Sequence, residues 1–106
     1  MDSKTQTLFE ARARIIKAMA HPSRLFIVDR LSKQDHCVHE LAEMIGVDIS
    51  TVSKHLSILR NAGIVRDEKE GQKVFYRLSV PCVLNFFTCV ESIIATNVKE
   101  QSELLK

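Results

Sequence analysis

The sequence predicts a mainly α fold with one small β-hairpin, in the order α-α-α-α-β-β-α, a winged helix-turn-helix. Three observations predict it. Positions 38–61, VHELAEMIGVDISTVSKHLSILRN, read as a short helix, a tight turn at Gly46 and a longer helix. Positions 64–78 then alternate with a period of two around Glu70-Gly71-Gln72. Apolar helices flank this unit on both sides, at 5–20 and from Pro81 to about 105.

The chain of 106 residues is sized for a single domain, taken as 1–106. With 45% hydrophobic and 26% charged residues it belongs among globular chains rather than disordered ones. The net charge of +2 is too small to indicate nucleic-acid binding unless the cations cluster. Three cysteines, an odd number, argue against a secreted disulfide scaffold and for reduced thiols. The N-terminal stretch MDSKTQTLFEARAR is polar and no apolar run reaches membrane-spanning length. A cytoplasmic protein with no membrane partner is therefore expected.

The first helix, 5–20, carries a stripe of Leu8, Ala11, Ile15, Ala18 and Met19, with Phe9 and Ile16 widening it and Arg12, Arg14 and Lys17 around it. His21-Pro22 breaks it, and Pro22 suits the first position of the next helix. That helix, 23–31, buries Leu25, Ile27, Val28 and Leu31. Positions 32–36 form a polar loop, and 36–38 add a short strand. Leu41, Ala42, Ile45 and Val47 give the next helix and turn their apolar contacts. Asp48 stands where an N-cap belongs, ahead of Val52, Leu56 and Leu59 at helical spacing.

The opposite face of this long helix presents Ser50, Thr51, Ser53, Lys54, His55, Ser57 and Arg60. Short hydroxyls suit close approach to base edges, and cations suit phosphates, so the face fits a DNA major groove. An ordinary solvated helix face is the alternative, and for this helix taken alone it is the better one. The flanking hairpin shifts the balance. Ser50, Thr51, Ser53, Lys54, His55 and Arg60 are the expected DNA contacts on the helix. His55 has three readings: base readout, phosphate contact, or packing under the hairpin. Gly63 ends the helix as a C′ residue. In the hairpin, expected at 64–67 and 73–78, Val74, Tyr76 and Leu78 alternate with Lys73, Phe75 and Arg77. Glu68 and Glu70 limit its use on DNA, and Arg66, Lys73 and Arg77 are its phosphate candidates.

The last helix opens with CVLNFFTCVESII, apolar over more than one face. A chain this small cannot cover it alone, so a homodimer through the first and last helices is expected. An enzyme is not expected: no paired carboxylates, nucleophile–base pattern or phosphate-cradling glycine loop is present.

The segments AMAHPSRLFIVDRL, HCVHELAEMIGVDISTVSKHLSILRNAGIV and EGQKVFYRL, within positions 18–78, resemble the ArsR/SmtB family of bacterial winged-helix repressors in order and spacing. The resemblance implies a homodimeric repressor on a palindromic operator in double-stranded DNA, released by a metal ion, a metalloid or an oxidant. It also locates departures. Where arsenite-binding members carry CVCDLC, this chain reads Cys37-Val38-His39-Glu40-Leu41-Ala42, keeping only the first thiolate. At the positions of the zinc ligands stand Val80, Cys82, Ile93 and Thr96, and at the persulfide-sensing pair Asp29 and Ala95.

Cys37, Cys82 and Cys89 remain as metal or thiol candidates. No resident cofactor is required. As(III), Sb(III) or another soft ion is the effector class that thiolates favour, with disulfide formation beside it. Cys82 and Cys89 are seven residues apart, roughly 10.5 Å along one helix stripe. One small ion, with metal–sulfur bonds of about 2.3 Å, reaches both only if Cys37 or a second subunit contributes. Each cysteine equally suits plain core packing. His36 and His39 are expected to be solvated. A winged-helix interaction module that binds neither DNA nor effector is the competing reading.

Overall fold

The computed structural model describes residues 1–105. The elements are α1 (Ser3–Met19), α2 (Pro22–Lys33), β1 (His36–Cys37), α3 (Val38–Ile45), α4 (Ile49–Asn61), β2 (Val65–Glu70), β3 (Lys73–Leu78) and α5 (Val83–Leu104). The architecture is the expected one, with the short strand joining the hairpin in a three-stranded antiparallel sheet ordered β1-β3-β2.

The helix ends are fixed by local chemistry. The Asp2 carboxylate accepts the Thr5 N–H at 2.7 Å, which starts α1 two residues before the expected position. Pro22 opens α2, and the His21 ring accepts the Ser23 N–H at 3.0 Å. Gly46, at φ +84°, lets the chain turn out of α3 with its N–H on the Ala42 carbonyl at 2.8 Å. At the end of α4, Gly63 has φ +82°; its N–H reaches the Arg60 carbonyl, and the Ile64 N–H reaches that of Leu59. That paired closure is a Schellman motif, sealed by contact of buried Leu59 and Ile64 with one core. Because Ile64 is occupied in this cap, the hairpin starts at Val65, and its first strand runs on to Glu70, beyond the expected end.

The core lies where α2, α3, α4 and the hairpin base meet. Ile27, Val28, Leu41, Val52, Leu56, Leu59 and Ile64 are essentially inaccessible to water. The wing leaves this core quickly. Leu78, opposite Val65, is buried, whereas Val74 near the tip is exposed. Two other expected contacts are looser than anticipated: Leu25 and Val47 are each 40% exposed.

The ends of the chain behave differently. No residue of α5 is buried, and only Val83 and Phe87 pack against the core from it. Phe86, Val90, Ile93, Ile94 and Val98 are exposed, as are Leu8, Phe9, Ile15 and Ile16 of α1. Turns closed by Val80, Pro81 and Cys82 carbonyls precede α5, so the helix proper begins after Pro81. The Cα radius of gyration is 16.8 Å, against about 13 Å for a compact chain of this length. One subunit therefore holds a small core with two apolar arms. No helix of the described residues is long and apolar enough to cross a membrane.

Candidate nucleic-acid interface

The site is built on α4. Its N-terminus is tied by Asp48, whose carboxylate accepts the Thr51 N–H at 3.2 Å and the hydroxyls of Ser50 and Thr51. Those two hydroxyls, then the Thr51 amide, pull the Asp48 pKa down to about 2, so it stays ionised across the working pH range. Ser50 and Thr51 thereby aim their protons inward and keep their oxygen lone pairs free. In this arrangement they are acceptors, suited to the exocyclic amino groups of cytosine and adenine rather than to phosphate. Lys54 is exposed, and Ser53 and Ser57 are half-buried, on the surface left by Val52, Leu56 and Leu59 facing the core.

His55 is placed against neither the wing nor open solvent. Its ring stacks in a tilted arrangement on His21, with centroids 4.5 Å apart, at the start of α2. Its Nδ1 is buried without a hydrogen-bond partner among the described residues. Burial first, then His21 and Arg24 nearby, lower its pKa from the usual histidine value. A depressed histidine pKa means that the unfolded chain takes up a proton the folded chain resists. The stability held by His55 is thus complete above pH 6.5 and is lost as pH falls through and below that value. The thermal midpoint is expected to drop on acidification below pH 6.5, and less so in His55→Asn. An identical drop in the variant assigns the effect to another group.

Two of the expected DNA cations are engaged inside the protein. Arg60 pairs with Asp67 of β2 at 3.2 Å, bracing α4 against the wing. Arg77 donates to Asp35 at 2.9 and 2.7 Å and lies 3.1 Å from Glu68. Asp35, the main cause, raises the Arg77 pKa further. Arg77, expected as a phosphate contact, thus fastens the wing to the loop before β1 with its side chain 36% exposed. Glu68 is drawn into the same cluster, which removes part of the expected acidic character of the tip. Lys73 and Arg66 are exposed and make no ion pair among the described residues.

His36 is also corrected. It is 8% exposed, opposite Tyr76 in the sheet, with Nδ1 3.6 Å from the Glu40 carboxylate. Glu40 accepts the Cys37 N–H at 3.0 Å, and this bond first, then the Cys37 thiol and His36, lowers its pKa. Only His39 of the pair is exposed. Cys37 is half-buried, while Cys82 and Cys89 are exposed, so neither of the latter is a core residue of the single subunit. No group of three or more His, Cys, Asp or Glu side chains among the described residues is placed to hold a metal ion. Within one subunit the cysteines do not fit one.

The residues that the sequence left unassigned are His21, Arg24, Asp35 and Asp67. His21 had a signal, since a side-chain acceptor directly before a proline at a helix start is in N-cap position. The others act through partners distant in the chain.

A helix-turn-helix whose second helix is braced by a β-hairpin defines the winged-helix class. Comparison with known proteins gives the family: residues 21–67 match "Bacterial regulatory protein, arsR family". The chain is 40% identical over 72 residues to the HTH-type transcriptional repressor SmtB of Mycobacterium tuberculosis H37Rv, covering 68% of this chain and 53% of that protein. It thus spans about half the length of that relative. It is 33% identical over 99 residues to the nodulation protein NolR of Rhizobium meliloti, covering 92% and 81% of the two chains. The solution structure of the homodimeric winged helix-turn-helix DNA-binding domain of Mb0332 from Mycobacterium bovis superposes with TM-score 0.79 at 27% identity, covering 94% and 93%. The protein belongs to the ArsR family of bacterial regulatory proteins.

Proposed function

We propose that the protein is a transcriptional repressor that binds operator DNA as a homodimer. The observation that carries this reading is the face of α4 turned away from the core, where Ser50 and Lys54 are exposed, Ser53 and Ser57 are half-buried, and Lys54 makes no ion pair among the described residues. The exposed apolar faces of α1 and α5 support the twofold assembly, which presents two such helices about one DNA turn, roughly 34 Å, apart. On this reading Ser50, Thr51 and Ser53 meet base edges, Lys54 meets phosphate, and Lys73 and Arg66 reach the backbone from the wing. His55, Arg60 and Arg77 hold the reading surface in place. The similarity to the HTH-type transcriptional repressor SmtB supports this assignment.

Lys54→Gln tests it. Affinity for operator and random duplexes should fall together, and the slope of log K against log salt should flatten by about one per subunit. A loss confined to the operator would make Lys54 a base reader. No mobility shift of the native protein with its own promoter at low salt would instead favour a winged helix that binds only protein.

For release we propose a thiophilic effector, As(III), Sb(III) or an oxidant, acting on Cys82 and Cys89 across the subunit boundary. Their exposure on a helix that one subunit leaves uncovered supports this. Cys37, half-buried beside Glu40, is the third thiol. Arsenite, antimonite and diamide, which takes up two electrons and two protons per disulfide formed, should each be titrated against the DNA complex. A Cys37→Ser, Cys82→Ser, Cys89→Ser triple variant that releases DNA like the native protein rules thiols out.

A further inference from the structure

We infer that the groove between α1, α2 and α4 is a second contact for duplex DNA, taking backbone phosphates on the side of the recognition helix away from the wing. The inference rests on the DNA-binding reading above and adds a site to it. The groove encloses about 530 Å³, and Arg14, Lys17, Arg24 and Asn61 supply its polar lining. No carboxylate lines it.

Unpaired cations stand on both sides of α4. On the wing side Arg60 and Arg77 are paired with Asp67, Asp35 and Glu68, while Arg66, Lys69 and Lys73 are exposed and make no ion pair among the described residues. On the groove side Arg14, Lys17 and Arg24 make no ion pair among the described residues. Glu10, one turn before Arg14, instead accepts a hydrogen bond from Gln6 at 2.9 Å. The Arg24 Nε is buried and has no acceptor among the described residues, although arginine is a donor at every working pH. A buried donor of this kind needs an acceptor from water or a ligand, and a phosphate oxygen is one.

The groove also lies where a phosphate wall would be. Lys54, Ile58 and Asn61 stand at i, i+4 and i+7, so the groove continues the stripe that begins at Lys54. Ile58 in the groove and Arg60 on the wing are about 200° apart around the helix. A helix lying in a major groove about 12 Å wide has a phosphate strand on each side. The strand beyond the wing side meets Arg66 and Lys73, and the strand beyond the other side meets Arg14, Lys17 and Arg24.

The test uses the full chain and the double variant Arg14→Gln/Lys17→Gln, both sites being exposed on α1. Affinity is measured by fluorescence anisotropy on operator and random duplexes of equal length, from about 50 to 200 mM salt. Lys4→Gln/Lys33→Gln removes equal charge elsewhere. The groove variant should bind both duplexes at least ten-fold more weakly, with their ratio unchanged. Its salt slope should flatten by about three to four per dimer, while the control moves little. An equal change in the control variant, or a weakening confined to the operator, overturns the inference. So does a variant that binds DNA normally but loses competition by inorganic pyrophosphate, which would make the groove a small-anion site. If the native protein binds no duplex at all, both readings fall; if it binds and the variant matches it, only this one does.

Discussion

Ile94→Asp is expected to convert the homodimer into monomers at micromolar concentration and to weaken operator binding by a hundred-fold or more. Ile94 is 55% exposed in the single subunit, so a carboxylate there leaves the core untouched. In a twofold assembly through α1 and α5 it would enter the interface twice. Burying an unpaired charge costs several kcal/mol at each site, enough to cancel a modest interface. DNA affinity falls further because the two recognition helices no longer act at one effective concentration. Sedimentation equilibrium of Ile94→Asp and Ile94→Leu reads the first effect, and anisotropy reads the second. An aspartate variant that stays dimeric would remove α5 from the interface and leave its apolar face without a role.

The second large effect is in the core. Leu56 has no accessible surface and sits between α2, α3 and the wing base, in a cluster of thirteen buried apolar residues. Leu56→Ala should lower stability by about 2–5 kcal/mol, because it removes transfer free energy and leaves a cavity that a close-packed core fills poorly. Ile58→Ala, two residues away and 42% exposed, should cost far less. Urea unfolding at fixed protein concentration compares the two, since dimerisation adds a concentration-dependent contribution to both. Equal losses would mean that Ile58 is covered in the assembled protein.

What one reads from this chain without coordinates is what neighbours within five residues decide. Asp48 caps α4, and Gly63 takes the left-handed conformation after it. The turn expected at Glu70-Gly71-Gln72 is there too, tightened to the two residues between the paired Glu70 and Lys73, with Gly71 at φ +62°. Each rests on one short-range hydrogen bond or one permitted backbone angle, so residue type and spacing suffice. The apolar face of α5 was legible for the same reason, since a period of 3.6 needs no partner to be seen.

The roles of single polar side chains at the site were not legible in this way. Arg77 was expected as a phosphate contact, and its pairing with Asp35, 42 residues earlier, had no signal in the spacing. His55 was given three readings, and none of them named the contact of its ring with His21, 34 positions away, which arises because α2 begins beside the middle of α4. His36 was expected in water, and the hairpin covers it. The sequence by itself determined the helices, the caps at Asp48 and Gly63, the presence of the wing and the surface that needs a second subunit, since local hydrogen bonding and periodic burial set all of these. Only the tertiary structure decided which cations are free and which are spent. An ion pair between distant residues depends on where two elements cross, and no periodicity along the chain records that.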